Sequence, residues 1–259
     1  MAVPSEPTTA ANPEGIFFRN FLLPPKTLRW GGPRYHDDEV YLRSGEANAR
    51  LLNQSCGLSK ESHVLDIGCG PGRLLTGILS AYGGVAEYVG LDVHKPAIDW
   101  ASAYLGDVDK NISFIRVDVR NERYNPKGRN PDGVTSLPLP SDRFDVVALF
   151  SVFSHMRLSG IQAYLQEIRR VLVPAGKVFL SAFTEYGVPD EEENPESYHR
   201  QWSGPLHCVR LSRHTFEDIV YSCGLVVDYF RYRHTNDGQS TFVLSRADQP
   251  AFQARVVKG

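Results

Sequence analysis

The first stretch whose residue types could do chemistry is a glycine-rich turn in residues 63–73, which read HVLDIGCGPGR. Gly68, Gly70 and Gly72 leave no Cβ where the backbone must turn sharply and lie against a ligand. A short apolar strand interrupted by Asp66 precedes the turn. The helix predicted from Arg73 onward directs its unpaired N-terminal amides at the same ligand. The stretch predicts a ligand-binding strand, turn and helix, with a purely structural tight turn as the alternative interpretation.

A carboxylate ends the next predicted strand, residues 88–92, which read YVGLD. Asp92 follows Gly72 by 20 residues, a distance at which an open α/β sheet presents a carboxylate to a ribose. The glycines do not form the dinucleotide pattern G-x-G-x-x-G, because Arg73 stands where the third glycine would be. The spacing therefore favours a nucleoside without a pyrophosphate.

A histidine follows the fourth predicted strand, residues 144–150, in the sequence SVFSHM. His155 should stand at the carboxyl edge of the sheet, where open parallel sheets bind ligands. An imidazole titrates near neutrality, so it could accept a proton from a hydroxyl group of a substrate. The alternative is a structural imidazole bonded to a backbone carbonyl. Three further candidates for this role lie in residues 184–209: Tyr198, His199 and His207.

The elements that must position these side chains alternate between strand and helix. Asp37 or Asp38 can cap a helix that ends at Gly57. The Asn236-Asp237-Gly238 turn signal predicts a final antiparallel hairpin. The pattern is that of a doubly wound α/β fold with a mostly parallel sheet. The predicted strands are residues 63–67, 88–92, 112–117, 144–150, 177–182, 225–234 and 240–245.

The sequence from Asp66 to Gly72, DIGCGPG, followed by Leu91-Asp92, resembles the cofactor motif of class I S-adenosylmethionine-dependent methyltransferases. The resemblance extends over residues 62–183, with a second specific patch at residues 151–156. It implies a Rossmann-like sheet of seven strands and S-adenosylmethionine as cofactor. It also implies that Asp118 meets the adenine amino group and that the backbone of Val119 meets the ring. The cofactor-binding residues expected from the resemblance and the turn are Asp66, Gly68, Cys69, Gly70, Gly72, Arg73, Asp92, Val93, Asp118, Val119 and Phe150.

The resemblance implies transfer of a methyl group to an oxygen or nitrogen atom of a small-molecule acceptor, such as a metabolite or natural product, by in-line displacement without a metal. Three alternatives compete with it. A non-catalytic S-adenosylmethionine-binding protein would keep the same fold. A methyltransferase acting on a protein side chain is the second, although the Asn- or Asp-Pro-Pro-Tyr box of amide methylation is replaced by Ser151-Val152-Phe153. An NAD-dependent oxidoreductase is disfavoured by the glycine spacing.

Composition restricts the partners. The 259 residues include 28 basic and 30 acidic side chains, so no global positive field attracts nucleic acid or an acidic membrane. No apolar run approaches the roughly 20 residues that span a bilayer. The four cysteines lack C-x-x-C spacing, and the N-terminus lacks a signal-peptide pattern. We expect a cytoplasmic monomer or homodimer without a bound metal.

Residues 1–14 are expected to be a disordered tail, and residues 15–259 a single domain. Within it, residues 15–57 form an N-terminal cap. Residues 184–209 break the alternation and form a predicted lid, because long insertions in compact domains are commonly functional. Residues 17–36 and the lid are both rich in aromatic side chains and are expected to cover the acceptor. The acidic run at residues 190–193 is expected to be a solvated face.

Overall fold

The computed structural model describes residues 15–106, 108–129, 136–198 and 201–248. The predicted tail, residues 1–14, lies outside these ranges. The strands are β1 (Ile16–Phe18), β2 (Phe21–Leu23), β3 (His63–Ile67), β4 (Glu87–Asp92), β5 (Ile112–Arg116), β6 (Phe144–Leu149), β7 (Leu172–Glu185), β8 (Glu191–Glu193), β9 (Val209–Ser212), β10 (Leu225–Arg231) and β11 (Ser240–Arg246). The helices are α1 (Asp38–Cys56), α2 (Arg73–Tyr82), α3 (Lys95–Tyr104), α4 (Leu158–Val171) and α5 (Arg213–Ser222).

Seven of the nine described strands of the main sheet lie in the order β10-β11-β7-β6-β3-β4-β5, and β8 and β9 join it through β7. Strands β3 to β7 run parallel along this path, and β11 is antiparallel to both β7 and β10. The central strands are almost continuously apolar and buried because helices cover both faces. The predicted fold is confirmed: a doubly wound Rossmann-like sheet with an antiparallel C-terminal hairpin.

Strand β7 is longer than the sequence predicts, and its extension pairs with a strand from the predicted lid. The prediction ended at Ala182, whereas Phe183 and Thr184 continue the strand and pair with β9. Strand β8 then pairs with β9. Three residues of the acidic run, Glu191 to Glu193, therefore lie half-buried in a strand, whereas Asp190 precedes it and is exposed. Arginines from distant elements neutralise the three glutamates: Arg157 binds Glu191 and Glu193, and Arg210 binds Glu192.

Helix α1 brings the N-terminal segment to the carboxyl edge of the sheet. Asp37 caps the helix by accepting a hydrogen bond from the Val40 amide at 2.9 Å, and Gly57 ends it in the left-handed conformation, as predicted. Helix α1 packs closely on α2 through Gly45 and Gly77, where a Cβ on Gly77 would lie 2.0 Å from the Gly45 carbonyl carbon. This approach sets α1 beside the start of α2 and thus beside the glycine turn.

Two buried clusters hold the layers together. One contains Leu65, Phe144 and Leu180 with the inner faces of α4 and α5. The other lies under α1, α2 and α3 and contains Tyr88 and Trp100. Burial of side chains this large contributes roughly 1.5 to 3 kcal/mol each, so the sheet is a rigid support for its loops. Among the described helices, none combines the length and apolar character that crossing a membrane requires.

Candidate active site

The glycine turn has the backbone shape that its sequence predicts. Gly68, Gly70 and Gly72 have φ values of 75°, 54° and 85°, in the left-handed region that favours glycine. The amides of Gly68 and Cys69 both donate to the Leu91 carbonyl, at 2.7 and 3.0 Å, which ties the turn to the end of β4. A Cβ added to Gly70 would meet no atom within 4 Å. Its backbone thus faces open space in which a ligand can approach closely.

Asp92 braces this turn from the next strand. One carboxylate oxygen accepts from the Gly70 amide at 2.7 Å, and the other accepts from the His94 amide at 2.8 Å. Burial raises the pKa of Asp92, while these two amides act in the opposite direction. Each carboxylate oxygen keeps a second lone pair for a ligand hydroxyl. The geometry fits the predicted contact with a ribose.

Asp66 is buried beneath the turn. Its carboxylate accepts a hydrogen bond from the Tyr88 hydroxyl at 2.6 Å, and burial raises its pKa to about 7. The Arg73 guanidinium lowers the pKa in part. At neutral pH, Asp66 is therefore poised between its charged and neutral forms, and it can accept or donate a hydrogen bond at the cavity wall.

Arg29 from the N-terminal segment and Arg73 from the start of α2 give the cavity a positively charged wall. Arg29 is buried, stacks over the Tyr41 ring at 4.8 Å and pairs with Asp38 at 2.7 Å. Arg73 lies over the Tyr35 ring at 5.0 Å. Within the described part of the chain, the buried Arg29 Nη2 atom and the buried Tyr41 hydroxyl have no hydrogen-bond partner. A polar ligand would satisfy these donors. Burying a donor without a hydrogen-bond partner costs free energy, so their presence indicates such a ligand.

One cavity of about 770 Å³ joins these walls. Its size lies in the range of small-molecule sites. Nine of the predicted cofactor residues line it: Asp66, Gly68, Cys69, Gly70, Arg73, Asp92, Val93, Val119 and Phe150. The glycine turn, Asp92 and the unpaired polar groups of Arg29 and Tyr41 fit a nucleoside that carries a charged amino-acid tail, which is the make-up of S-adenosylmethionine.

Two predicted cofactor residues have other surroundings. Asp118 does not line the cavity, since its carboxylate pairs with Arg116 at 3.0 Å and Arg129 at 3.2 Å. The contact of Asp118 with the adenine amino group stays a prediction. Gly72 does not line the cavity either. A Cβ on Gly72 would lie 2.5 Å from the Leu105 side chain. Close packing therefore requires glycine at this position, as does its left-handed backbone conformation.

His155 lines the same cavity, next to the end of β6. Its Nδ1 lies 2.9 Å from the Leu206 carbonyl oxygen. A carbonyl oxygen only accepts, so Nδ1 carries the proton and Nε2 has a free lone pair. Burial lowers the pKa of His155 to about 4. The imidazole is therefore neutral at pH 7. The hydrogen bond to a backbone carbonyl, which was the alternative interpretation of this histidine, is present, and it leaves Nε2 able to accept a proton.

The other candidates for a proton acceptor lie elsewhere. The Tyr198 hydroxyl donates to the Gly238 carbonyl at 3.1 Å, and burial raises its pKa. His207 binds the Ser203 carbonyl through Nδ1 at 2.8 Å and packs on Trp202. Neither residue lines the cavity. His199 lies outside the described residues. Leu206, in the predicted lid, does line the cavity and orients His155.

A buried polar network lines the cavity beside His155, and sequence reasoning missed it. Ser151, at φ 62°, donates its amide to Ser181 Oγ at 2.9 Å. Ser181 donates to Gln239 Oε1 at 2.8 Å, and Gln239 Nε2 donates to Ser151 Oγ at 2.6 Å. Polar residues at the ligand edge of apolar strands, as in VFLSA, were the available signal. The hydrogen-bond partners within this network are distant from one another in the sequence, so the sequence alone could not identify them.

Within the described residues, no cluster of three or more His, Cys, Asp or Glu side chains is arranged to hold a metal ion. Cys56, Cys69, Cys208 and Cys223 are free thiols. Burial raises the pKa of Cys69 well above its usual range, which keeps that thiol protonated beneath the turn. Cys69 therefore contributes its amide and its small size rather than a nucleophile.

Part of the chain is similar in sequence to known proteins. Residues 65–178 match a family model described as a methyltransferase domain. Sphingolipid C9-methyltransferase of Candida albicans is 28% identical over 130 residues, covering 50% of this chain and 23% of that protein. Sterol 24-C-methyltransferase of the same organism is 22% identical over 214 residues, covering 77% of this chain and 50% of that protein. The chain thus spans half or less of the length of these two curated relatives.

A solved structure extends the likeness to the whole fold. The 1,6-didemethyltoxoflavin-N1-methyltransferase of Burkholderia thailandensis, with bound S-adenosylhomocysteine, superposes with a TM-score of 0.53 at 15% identity, covering 82% of this chain and 80% of that one. The glycine turn, the strand-end carboxylate and the matched domain agree with one another. Residues 65–178 of this chain thus match a methyltransferase domain, and the site above fits S-adenosylmethionine as its cofactor.

Proposed function

We propose that this protein transfers a methyl group from S-adenosylmethionine to an oxygen or nitrogen atom of a small molecule, without a metal. The observation that carries the proposal is the single cavity that joins the glycine turn and Asp92 to His155. The cofactor supplies a methyl group already activated by its sulfonium. The protein then has to align an acceptor atom with it, which accounts for much of the rate in such reactions.

Aromatic side chains from the N-terminal segment support exclusion of water from this site. Trp30 contacts His94 and Tyr124 edge to face, with ring centroids 5.4 and 5.2 Å apart. Trp30 lines the cavity and remains 45% exposed, so it lies where the cavity wall meets solvent. Tyr124 in turn contacts the His155 ring at 5.5 Å. Trp30, His94, Tyr124 and His155 thus form a continuous row of rings along the cavity wall.

We assign the acceptor's proton to His155 Nε2. An imidazole with a pKa near 4 is too weak to ionise an alcohol before attack. A hydroxyl oxygen becomes strongly acidic once it bonds to the incoming methyl group, and Nε2 can take its proton at that stage. Before attack, the same lone pair accepts a hydrogen bond from the acceptor and directs its oxygen or nitrogen. This role suits a neutral amine equally well.

A small acceptor in the cytoplasm fits the remaining features. The names of the sphingolipid and sterol methyltransferases specify small-molecule substrates. The cavity is large enough for such an acceptor beside the cofactor. Four free thiols are typical of a reducing compartment. We propose a monomer or homodimer, since the cavity is assembled within one chain.

Incubation with S-adenosylmethionine and fractionated metabolites tests the proposal. S-adenosylhomocysteine should form only with fractions that contain an acceptor, and mass spectrometry should find products heavier by one methylene on oxygen or nitrogen. Labelling of proteins instead of metabolites would favour the alternative of a methyltransferase acting on a protein side chain. Binding of the cofactor without turnover in any fraction would favour the non-catalytic alternative.

A further inference from the structure

The turn between β10 and β11 lies at the ligand edge of the sheet, although its sequence predicted only a hairpin. Strand β11 begins at Ser240, which pairs with Ala182 near the carboxyl end of β7. Four strand spacings of about 4.8 Å separate β11 from β4, so the turn is about 19 Å along the sheet from Asp92. The turn thus belongs to the acceptor side. Its cavity-lining residues are His234, Thr235, Asn236, Asp237 and Gln239.

Asp237 brings a carboxylate to this side of the cavity. Thr235 Oγ1 donates to its Oδ1, and Gln239 Nε2 donates to its Oδ2 at 2.9 Å. Both donors are neutral, and Asp237 forms no ion pair with any described residue. Each oxygen has a further lone pair. The half-buried Asp237 carboxylate, which already accepts from these two donors, can therefore accept one more hydrogen bond. A ligand could donate this bond without displacing Thr235 or Gln239.

The turn that carries Asp237 is held in place before any ligand binds. The Gln239 amide donates to Thr235 Oγ1 at 2.8 Å, and the Thr235 amide donates to the Gln239 carbonyl at 3.1 Å. The Tyr198 hydroxyl fixes the Gly238 carbonyl. Little conformational entropy remains to be lost when a ligand binds Asp237, and such preorganisation raises affinity.

The same turn is bonded to the strand end that precedes His155. Gln239 Nε2 donates to Ser151 Oγ as well as to Asp237, and it therefore links the two sides of the acceptor region. Ser151 has a left-handed backbone that is uncommon outside glycine and is found at functional sites. The Asp237 charge also acts on the His155 imidazole. Asp237, in the turn between β10 and β11, and His155, in the short helix after β6, thus line the same cavity.

We propose that Asp237 determines acceptor specificity by binding a hydroxyl or amino group of the acceptor, so that the substrates are small molecules carrying such a hydrogen-bond donor. This inference rests on the proposed function, because it assigns Asp237 to the acceptor of that reaction. The contact between Asp237 and a hydrogen-bond donor can nevertheless be tested without turnover. Gln239 acts as a positioning residue that holds Asp237 and Ser151 in register. The acceptor lies between the Asp237 carboxylate and His155 Nε2.

The test uses benzylamine and benzyl alcohol as probes and ethylbenzene as the matched probe without a donor. Binding to the full chain saturated with S-adenosylhomocysteine is titrated by NMR. The wild type should bind the two donor probes more tightly than ethylbenzene. Asp237→Asn should weaken benzylamine binding about tenfold, because a charged acceptor is replaced by a neutral one. Its amide can still accept from Gln239 and donate to Thr235, so the turn should persist.

Two controls separate the outcomes. Asp228→Asn makes the same change on β10, where Asp228 pairs with Lys177 at 2.7 Å outside the cavity, and it should leave probe binding unchanged. Calorimetry of Asp237→Asn should find affinities for S-adenosylmethionine and S-adenosylhomocysteine within twofold of the wild type. Equal binding of all three probes, retained preference in Asp237→Asn, or weaker cofactor binding in that variant would each overturn the inference. Failure of methyl transfer alone would contradict the proposed function.

Discussion

Replacing Asp92 with alanine should separate the cofactor contact from the support of the glycine turn. In the wild type, the carboxylate already accepts from the Gly70 and His94 amides at 2.7 and 2.8 Å. Its remaining lone pairs are assigned to the two ribose hydroxyls. Loss of a charged acceptor costs roughly 1.5 to 3 kcal/mol, so the Kd for S-adenosylmethionine should rise about ten- to a hundredfold.

The same substitution should also destabilise the fold, but less than the two lost backbone contacts suggest. Gly70 faces the cavity, where water can replace the carboxylate as partner of its amide. We expect a loss of about 1 to 2 kcal/mol in the free energy of unfolding, which lowers the Tm by about 2 to 8 °C in a domain of this size. Calorimetric titration well below the Tm measures affinity for the folded protein alone.

Asp145 provides the matched control for this experiment. Its carboxylate accepts from the His63 amide at 2.8 Å, at the amino edge of the sheet and outside the cavity. Asp145→Ala removes a similar backbone contact, so it should lower the Tm without changing the Kd for S-adenosylmethionine. Unchanged affinity in Asp92→Ala, or an equal loss of affinity in both variants, would refute the assignment of Asp92 to the ribose.

Three further results are expected. His155→Ala should lower turnover about a hundredfold with nearly unchanged calorimetric affinity for S-adenosylhomocysteine, and full activity would remove its role as proton acceptor. Because the pKa of His155 falls from 6.5 to about 4 on folding, its neutral form stabilises the protein fully above pH 6.5 and loses that contribution as the pH falls toward 4. The stability difference between wild type and His155→Ala should thus shrink by about 1 to 2 kcal/mol between pH 7 and 5 in urea titrations, allowing for partial exposure; a constant difference would contradict the lowered pKa. Trp30→Ala should weaken S-adenosylhomocysteine binding about three- to tenfold, because two aromatic contacts are lost. In the wild type, adding the ligand should slow hydrogen exchange in residues 26–36, and this slowing should be absent in Trp30→Ala.

Much of the cofactor site could be predicted because its determinants are local. A strand, three glycines and a carboxylate 20 residues later specify one geometry in an open α/β sheet. Asp37 and Gly57 likewise mark the ends of α1 through contacts within a few residues. Each of these signals depends on backbone conformation, which the residue types themselves restrict.

The acceptor side could not be predicted because its contacts join distant residues. Gln239 meets Ser151 across 88 positions, and no local propensity reports such a contact. The adenine contact that the family resemblance implies for Asp118 stays a prediction, and the sequence did not indicate that its carboxylate pairs with Arg116 and Arg129. The acidic run in β8 looked solvated because its arginine partners lie 18 to 36 positions away.

The central claim is that one cavity holds S-adenosylmethionine on the glycine turn beside a small-molecule acceptor. Incubation of the protein with methyl-labelled S-adenosylmethionine and a metabolite extract tests it most directly. The account predicts label in low-molecular-weight products methylated on oxygen or nitrogen, one S-adenosylhomocysteine per methyl group, and loss of both in Asp92→Ala at cofactor concentrations below its raised Kd. Tight cofactor binding with no labelled small molecule in any extract would contradict the claim.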